Sequence, residues 1–224
     1  MSFILNIETA TKNCSVSIAK DGQTIVCSEL ADEGYSHAEK LHVFIEEVIA
    51  KAGISAQDLK AVAVSQGPGS YTGLRIGVSA AKGLCYALNI PLIAVDTMQT
   101  LASQAGVADG KIIPMLDARR MEVYSAIFNS DLTIERGIKA EIIDENSFQE
   151  YTDKLYFVGD CADKCKTVLT KNNFVFLENI KYPSAQAMSK ISFDKYQISD
   201  IVDVAYFEPY YLKDFIITAP SKKE

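Results

Sequence analysis

The stretch from Ala61 to Leu88 constrains the fold most strongly, because an apolar run, a glycine-rich loop and an almost uncharged helix follow one another within it. The run from Ala61 to Val64 is short and apolar, which is typical of a strand that is buried on both faces of a sheet. Thr72 is placed to cap the helix that follows the loop. The stretch therefore predicts a central strand, a sharp turn and a packed helix.

The loop between this strand and this helix carries three glycines in seven residues, which permits unusual backbone angles and close approach by other groups. A helix N-terminus offers free N–H groups and a partial positive charge, so it can hold an anion. The lysine of a Walker loop is absent, and a plain strand-to-helix turn would need the same glycines. The candidate residues for a nucleotide or another anion are Gly67, Gly69, Ser70, Thr72 and Gly73.

The helix predicted from Thr72 to Leu88 is apolar on more than one side, since Arg75 and Lys82 are its charged residues. One of its faces consists mostly of small side chains. The members of this face are Gly77, Ala80, Gly83, Leu84 and Ala87. A helix of this kind either lies deep in the core of its own chain or contacts a partner.

Composition narrows the classes of protein to consider. The net charge of −7 argues against a protein that binds nucleic acid by itself, because such a protein needs a basic surface. No run approaches the roughly 20 apolar residues of a membrane span, and the start of the chain lacks the basic segment of a signal peptide. The five cysteines are scattered, which is typical of reduced thiols. We therefore expect a cytoplasmic protein with no membrane contact and no metal site.

The order of elements predicts the architecture. Three strands open the chain, with a hairpin turn at Asp21–Gly22, and Ser36 with Glu39 fits a capping box for a helix from Ser36 to Ala52. Strands and helices then alternate to Ala105, and the second half repeats this order roughly. We expect an α/β, two-lobed actin-like or ribonuclease-H-like (ASKHA) fold whose mixed sheets have three antiparallel strands and then parallel crossovers. The lobes would span residues 1–105 and 106–224, with about 206–224 packing back on the first.

The turn from Glu8 to Lys12 joins the first two strands. Actin-type ATPases hold phosphate at a turn in this position, so Thr9 and Thr11 are further candidate contacts for a nucleotide. A plain turn is the other interpretation. The two histidines, His37 and His42, are five residues apart on one predicted helix and point in different directions, so they do not form a metal-binding pair.

Four segments together resemble the TsaB (YeaZ) family. Three of them are Ile7–Thr11, the long stretch Ser65–Gly77 and Asp117–Tyr124, and the fourth is the C-terminal segment Glu208–Lys213. The match extends over the whole chain, and the Gly-Pro-Gly-Ser-Tyr-Thr-Gly-Leu-Arg segment is much more specific than a single glycine motif.

The resemblance implies a non-catalytic scaffold that acts in making threonylcarbamoyladenosine next to the anticodon of tRNAs that read ANN codons. It implies binding to the catalytic subunit TsaD through the first two helices, association with the ATPase TsaE, contact with tRNA through the complex, and a homodimer when TsaD is absent. No cofactor would be required, although weak ATP or ADP binding at the subunit interface is compatible with it. The implied interface residues are Ser36, Leu41, Ile45, Arg75, Gly77, Ala80, Lys82, Gly83, Leu84 and Ala87.

Two other functions remain to be weighed. A small kinase or ATPase of the same fold would use the glycine loop, but Glu8 and Ala10 stand where the actin-type turn has Asp and Gly. A metallopeptidase is a remote alternative, because the chain lacks an H-E-x-x-H helix. The segment from Asp96 to Thr100 also lacks the H-x-x-x-H metal pair of TsaD, so a metal-activated transfer cannot be assigned to this chain.

Overall fold

The computed structural model describes residues 1–31, 37–118 and 122–212. A mixed sheet of five strands in the order β3-β2-β1-β4-β5 forms the first half. These strands are β1 (Phe3–Glu8), β2 (Asn13–Lys20), β3 (Gln23–Ala31), β4 (Leu59–Ser65) and β5 (Leu92–Val95). Strands β1, β2 and β3 are antiparallel, and β4 and β5 run parallel to β1, as the order of elements predicts.

The second sheet repeats this arrangement. Its order is β10-β9-β6-β7-β8, again with three antiparallel strands and two parallel ones. The strands are β6 (Lys111–Asp117), β7 (Glu122–Asn129), β8 (Ile134–Ile142), β9 (Leu155–Val158) and β10 (Phe174–Phe176). The expected two-lobed mixed α/β fold is therefore confirmed.

Five α-helices cover the sheets within the described residues, and a single 3-10 turn (Ala56–Asp58) precedes β4. They are α1 (His37–Lys51), α2 (Tyr71–Leu88), α3 (Thr97–Ser103), α4 (Ala162–Cys165) and α5 (Ala185–Gln197). No helix in the described ranges combines the length and apolarity that a bilayer crossing requires. Helix α4 is a single turn.

The first sheet is buried on both faces, which explains its continuous apolar strands. Leu5 and Ile7 belong to the cluster under α1 and α2, whereas Ile4 packs on the opposite face with Ala185 and Met188 of α5. Helix α5 follows the second sheet in the chain but packs on the first sheet. Helix α5 lies beyond the predicted lobe boundary at residues 105 and 106, and it covers the second face of the first sheet.

The chain after α5 stays on the first lobe. Val202 bridges to Leu92 at the edge strand β5, and Tyr210 N donates a hydrogen bond to Gln66 O at 2.7 Å. The rings of Tyr71 and Tyr211 lie 4.9 Å apart. The segment 202–212 thus runs along one side of α2, and the continuation of the predicted tail beyond residue 212 lies outside the described residues.

Candidate functional site

The structure brings the turn between β1 and β2 against the glycine loop that precedes α2. Ser70 N donates a hydrogen bond to Ala10 O at 2.7 Å, and the Thr9 hydroxyl donates one to Gly73 O at 2.7 Å. Helix α2 begins at Tyr71 with Ser70 as its N-cap, whose hydroxyl accepts from Gly73 N. The prediction of Thr72 as the cap is wrong, because Ser70 supplies the oxygen that the first turn needs.

The glycines of the loop are needed for close approach to this turn. A Cβ atom at Gly69 would lie 2.3 Å from Ala10 O, and one at Gly73 would lie 2.1 Å from Thr9 O. The space between loop and turn is therefore filled by backbone atoms of the chain itself. An anion held between these two segments would have no room in this arrangement, and nucleotide binding here stays a prediction.

Glu8 lies at the carboxyl end of β1 and is completely buried. Its Oε1 accepts a hydrogen bond from Ala10 N at 2.6 Å, while no described residue donates one to its Oε2. Burial raises the pKa of Glu8 to about 7, against smaller lowering effects from the neighbouring Ser65 hydroxyl and the Ala10 N–H. When ionised, this carboxylate disfavours a phosphate at the turn.

The start of α1 is also tied to the turn. His37 is buried, and its Nε2 lies 2.7 Å from Thr11 O, which makes it a hydrogen-bond donor to that carbonyl. His42, five residues further along the helix, is exposed. Across the described part of the chain, no three side chains of the metal-ligating types gather into a cluster.

A groove of about 740 Å³ opens on the outer side of α1 and α2. Its lining is mostly small or apolar, with the polar groups at its margins. The lining residues are Ala38, His42, Tyr71, Thr72, Arg75, Ile76, Ser79, Ala80, Gly83 and Leu84. We call this surface the α1–α2 groove.

Four of the predicted interface residues line the α1–α2 groove: Arg75, Ala80, Gly83 and Leu84. Ala87 is exposed one turn beyond Gly83 on the same helix. Ser36, the remaining residue predicted at the start of α1, lies outside the described residues.

Four other predicted interface residues do not line it. Leu41 and Ile45 are buried in the core under the sheet-facing side of α1, and Gly77 is buried against Thr9. Lys82 donates hydrogen bonds to Ala205 O and Phe207 O of its own chain. Helical periodicity turns Leu41, Ile45 and Gly77 inward, so these three assignments are corrected. Lys82 is half-buried, and its place at an interface stays a prediction.

Sequence reasoning missed the aromatic margin of the groove. Arg75 lies 5.2 Å from the centre of the Tyr71 ring, and its Nη1 donates to the Tyr71 hydroxyl at 3.0 Å. The spacing of Tyr71 and Arg75, four residues apart on one helix, is the signal that could have indicated this pair. Tyr211 packs against Tyr71 with its ring tilted by 39°, and it comes from a segment that is distant in sequence, so no local pattern could have shown this contact.

A second cavity of about 290 Å³ lies between the two lobes. Gln66 and Asp96, which follow β4 and β5, face Phe128 and Ile138 of the second sheet across it. Asp96 caps α3 by accepting from Met98 N and Gln99 N, and burial raises the pKa of its carboxyl group. The segment from Asp96 to Thr100 contains no histidine.

The repeated mixed sheets, the cavity between the lobes and the turn after β1 define a two-lobed protein of the actin-like ATPase-fold class. A family model described as TsaD, tRNA N6-adenosine threonylcarbamoyltransferase, matches residues 29–206. The tRNA threonylcarbamoyladenosine biosynthesis protein TsaB of Escherichia coli K12 is 30% identical over 221 residues, which cover 94% of each chain. The chain belongs to the TsaB (YeaZ) family, as the sequence motifs indicate.

Solved structures agree on the fold. YeaZ from Pseudomonas aeruginosa superposes with a TM-score of 0.84 at 21% identity, covering 95% of this chain and all of that one. The activator of the 2-hydroxyisocaproyl-CoA dehydratase from Clostridium difficile, which was solved with bound ADPNP, matches with a TM-score of 0.51 at 9% identity. It covers 89% of this chain and 96% of that chain.

Proposed function

We propose that this chain is a non-catalytic scaffold subunit in the biosynthesis of threonylcarbamoyladenosine on tRNA. It binds the catalytic subunit TsaD through the α1–α2 groove and holds it in an active arrangement. Membership of the family supports the pathway. The α1–α2 groove is the observation that supports binding to a partner. In this proposal TsaE joins the complex, and tRNA is reached through TsaD.

The shape of the groove supports a packed helical partner. A Cβ atom added at Gly83 would meet nothing within 4 Å, and Ala80 and Leu84 are half-buried beside it. Small residues at the centre of a helix–helix contact permit a short interaxial distance, since that distance depends on the side chains at the crossing. Tyr71 and Arg75 at the margin are residue types that are enriched at energetically important interface positions.

The turn after β1 supports a role without chemistry on this chain. Its backbone fills the space beside the glycine loop, and Glu8 places a buried carboxyl group next to it. The proposal therefore needs no resident cofactor, and binding of ATP or ADP between subunits stays a prediction. When TsaD is absent, we expect two copies of this chain to cover the same groove as a symmetric homodimer.

The test is size-exclusion chromatography with light scattering on this chain, alone and mixed with TsaD from the same organism. We expect a one-to-one complex with TsaD in place of a homodimer. Ala80→Glu and Gly83→Glu each place a carboxylate in the groove and should abolish both assemblies. Gln186→Glu adds the same charge at an exposed position of α5 and should change neither.

Two results would contradict the proposal. If the wild-type chain does not bind TsaD, the scaffold role is refuted. If binding persists in both groove variants, the contact with TsaD lies on another surface. Magnesium-dependent ATP turnover by the purified chain that is lost in Glu8→Ala would favour a kinase or ATPase instead.

A further inference from the structure

The turn from Glu8 to Thr11 contacts the first turns of both helices that form the α1–α2 groove. On the α1 side, Thr11 O accepts the hydrogen bond from buried His37. On the α2 side, Ala10 O accepts from Ser70 N, and the Thr9 hydroxyl donates to Gly73 O. One short segment therefore fixes where both helices begin.

The contact with α2 is close over two helical turns. Gly73 and Gly77 both face Thr9, and a Cβ atom at Gly77 would lie 2.3 Å from the Thr9 hydroxyl oxygen. Thr9 is itself fully buried, so its hydroxyl reaches no solvent. The hydroxyl thus sets both the distance and the rotation of α2 relative to β1.

The groove begins next to these contacts. Tyr71 and Thr72, which line it, directly precede Gly73, and Ala38 directly follows His37. A shift of either helix start would therefore change the separation of the groove walls. Because close-packed interfaces tolerate little misfit, a small change in that separation weakens association.

We propose that Thr9 is a positioning residue for partner binding, whose hydroxyl holds the start of α2 so that the α1–α2 groove keeps the shape that its partner fits. The inference rests on the proposed function, since it assigns this turn to the docking surface. The turn that holds phosphate in actin-type ATPases instead fixes the first turns of α1 and α2 in this chain.

The decisive comparison is between the two variants Thr9→Val and Thr9→Ser. Valine keeps the volume but removes the donor, whereas serine keeps the donor. Ser17→Ala is the matched control, because the Ser17 hydroxyl also donates a buried hydrogen bond to a helix carbonyl, Ala185 O at 2.8 Å, on the opposite face of the same sheet. If Thr9 contributes only to stability, Thr9→Val and Ser17→Ala should have the same dissociation constant for TsaD.

The first readout is hydrogen exchange on the chain alone. We expect Thr9→Val to speed exchange at the amides of residues 71–76, and Ser17→Ala to speed it only in β2 and near the start of α5. Thr9→Ser should match the wild type. Unchanged exchange at the start of α2 in Thr9→Val would overturn the positioning role.

The second readout is the dissociation constant for TsaD, measured by calorimetry under conditions in which every variant is folded. Thr9→Val should weaken binding about fivefold, the factor that corresponds to one ordinary hydrogen bond, and Thr9→Ser and Ser17→Ala should stay near the wild-type value. Equal constants for Thr9→Val and the wild type would overturn the link to binding. A wild-type chain that binds no TsaD refutes the proposed function, and the exchange result then decides the positioning role by itself.

Discussion

The ammonium group of Lys82 lies 3.0 Å from the carbonyl oxygen of Ala205 and donates a hydrogen bond to it. The same nitrogen reaches Phe207 O at 3.1 Å. A cation in the middle of α2 thereby satisfies two carbonyl groups of the segment that returns from α5. Lys82 therefore connects the end of the described chain to the helix that carries the α1–α2 groove.

Lys82→Met should loosen this segment without altering the sheet. Methionine keeps the apolar stem but removes the donor, so the free energy of unfolding should fall by about 1 kcal/mol. Hydrogen exchange should become faster at the amides of Ala205, Tyr206 and Phe207. Lys190→Met serves as the control, because Lys190 pairs with Asp194 on the exposed side of α5, where such pairs contribute little. Equal exchange at these three amides in both variants would contradict the assignment.

The two glycines in the middle of α2 should respond oppositely to alanine. Gly77→Ala forces a methyl group against the Thr9 hydroxyl, so it should destabilise the chain by about 1–3 kcal/mol. Gly83→Ala has open space around it and should raise helix stability by about 0.5–1 kcal/mol. Urea denaturation of both variants at one protein concentration measures the difference. If both variants change the free energy of unfolding by a similar amount in the same direction, Gly77 is not crowded and Gly83 open as described.

The N-cap of α2 can be tested in the same way. Ser70→Ala removes the oxygen that accepts from Gly73 N, so the free energy of unfolding should fall by about 1 kcal/mol. Thr72→Ala changes an exposed residue and should leave the free energy of unfolding within a few tenths of a kcal/mol. If Thr72→Ala lowers the free energy of unfolding more than Ser70→Ala does, Thr72 and not Ser70 is the N-cap of α2.

Local pattern was enough to predict most of the fold. Short-range rules predict the hairpin at Asp21–Gly22, the apolar run of β4 and the repeated order of strands. The repeated order agrees with the topology that the two sheets share. The return of α5 to the first sheet could not be predicted this way. Its position depends on which sheet face remains uncovered, and that is a property of the assembled fold rather than of residues 185–197.

The candidate site was predictable in part for the same reason. The small residues Ala80 and Gly83, together with Leu84, indicate a contact face, and the groove lies there. Leu41 was misassigned, because an apolar stripe on α1 shows that a helix packs but not which of two surfaces it packs against. The closure of the glycine loop by Ala10 involves two segments about 60 residues apart, so no spacing rule reveals it.

The buried carboxyl group of Glu8 should make stability depend on pH. Burial raises its pKa from the usual 4.5 to about 7 in the folded chain, so the folded state binds a proton more tightly than the unfolded state. This group therefore contributes most to stability below pH 4.5, and its contribution is lost as the pH rises to about 7. The loss over that window should be at most about 3 kcal/mol, because each unit of pKa difference corresponds to about 1.4 kcal/mol.

Glu8→Gln isolates this contribution from those of the other carboxylates. The carboxamide stays neutral at every pH, and its oxygen can still accept from Ala10 N. The variant should therefore be more stable than the wild type at pH 8, and this advantage should shrink toward pH 5. Urea denaturation at pH 5, 6, 7 and 8 gives the difference between the two proteins. A difference that does not change with pH would mean that Glu8 is ionised in the folded chain throughout this range.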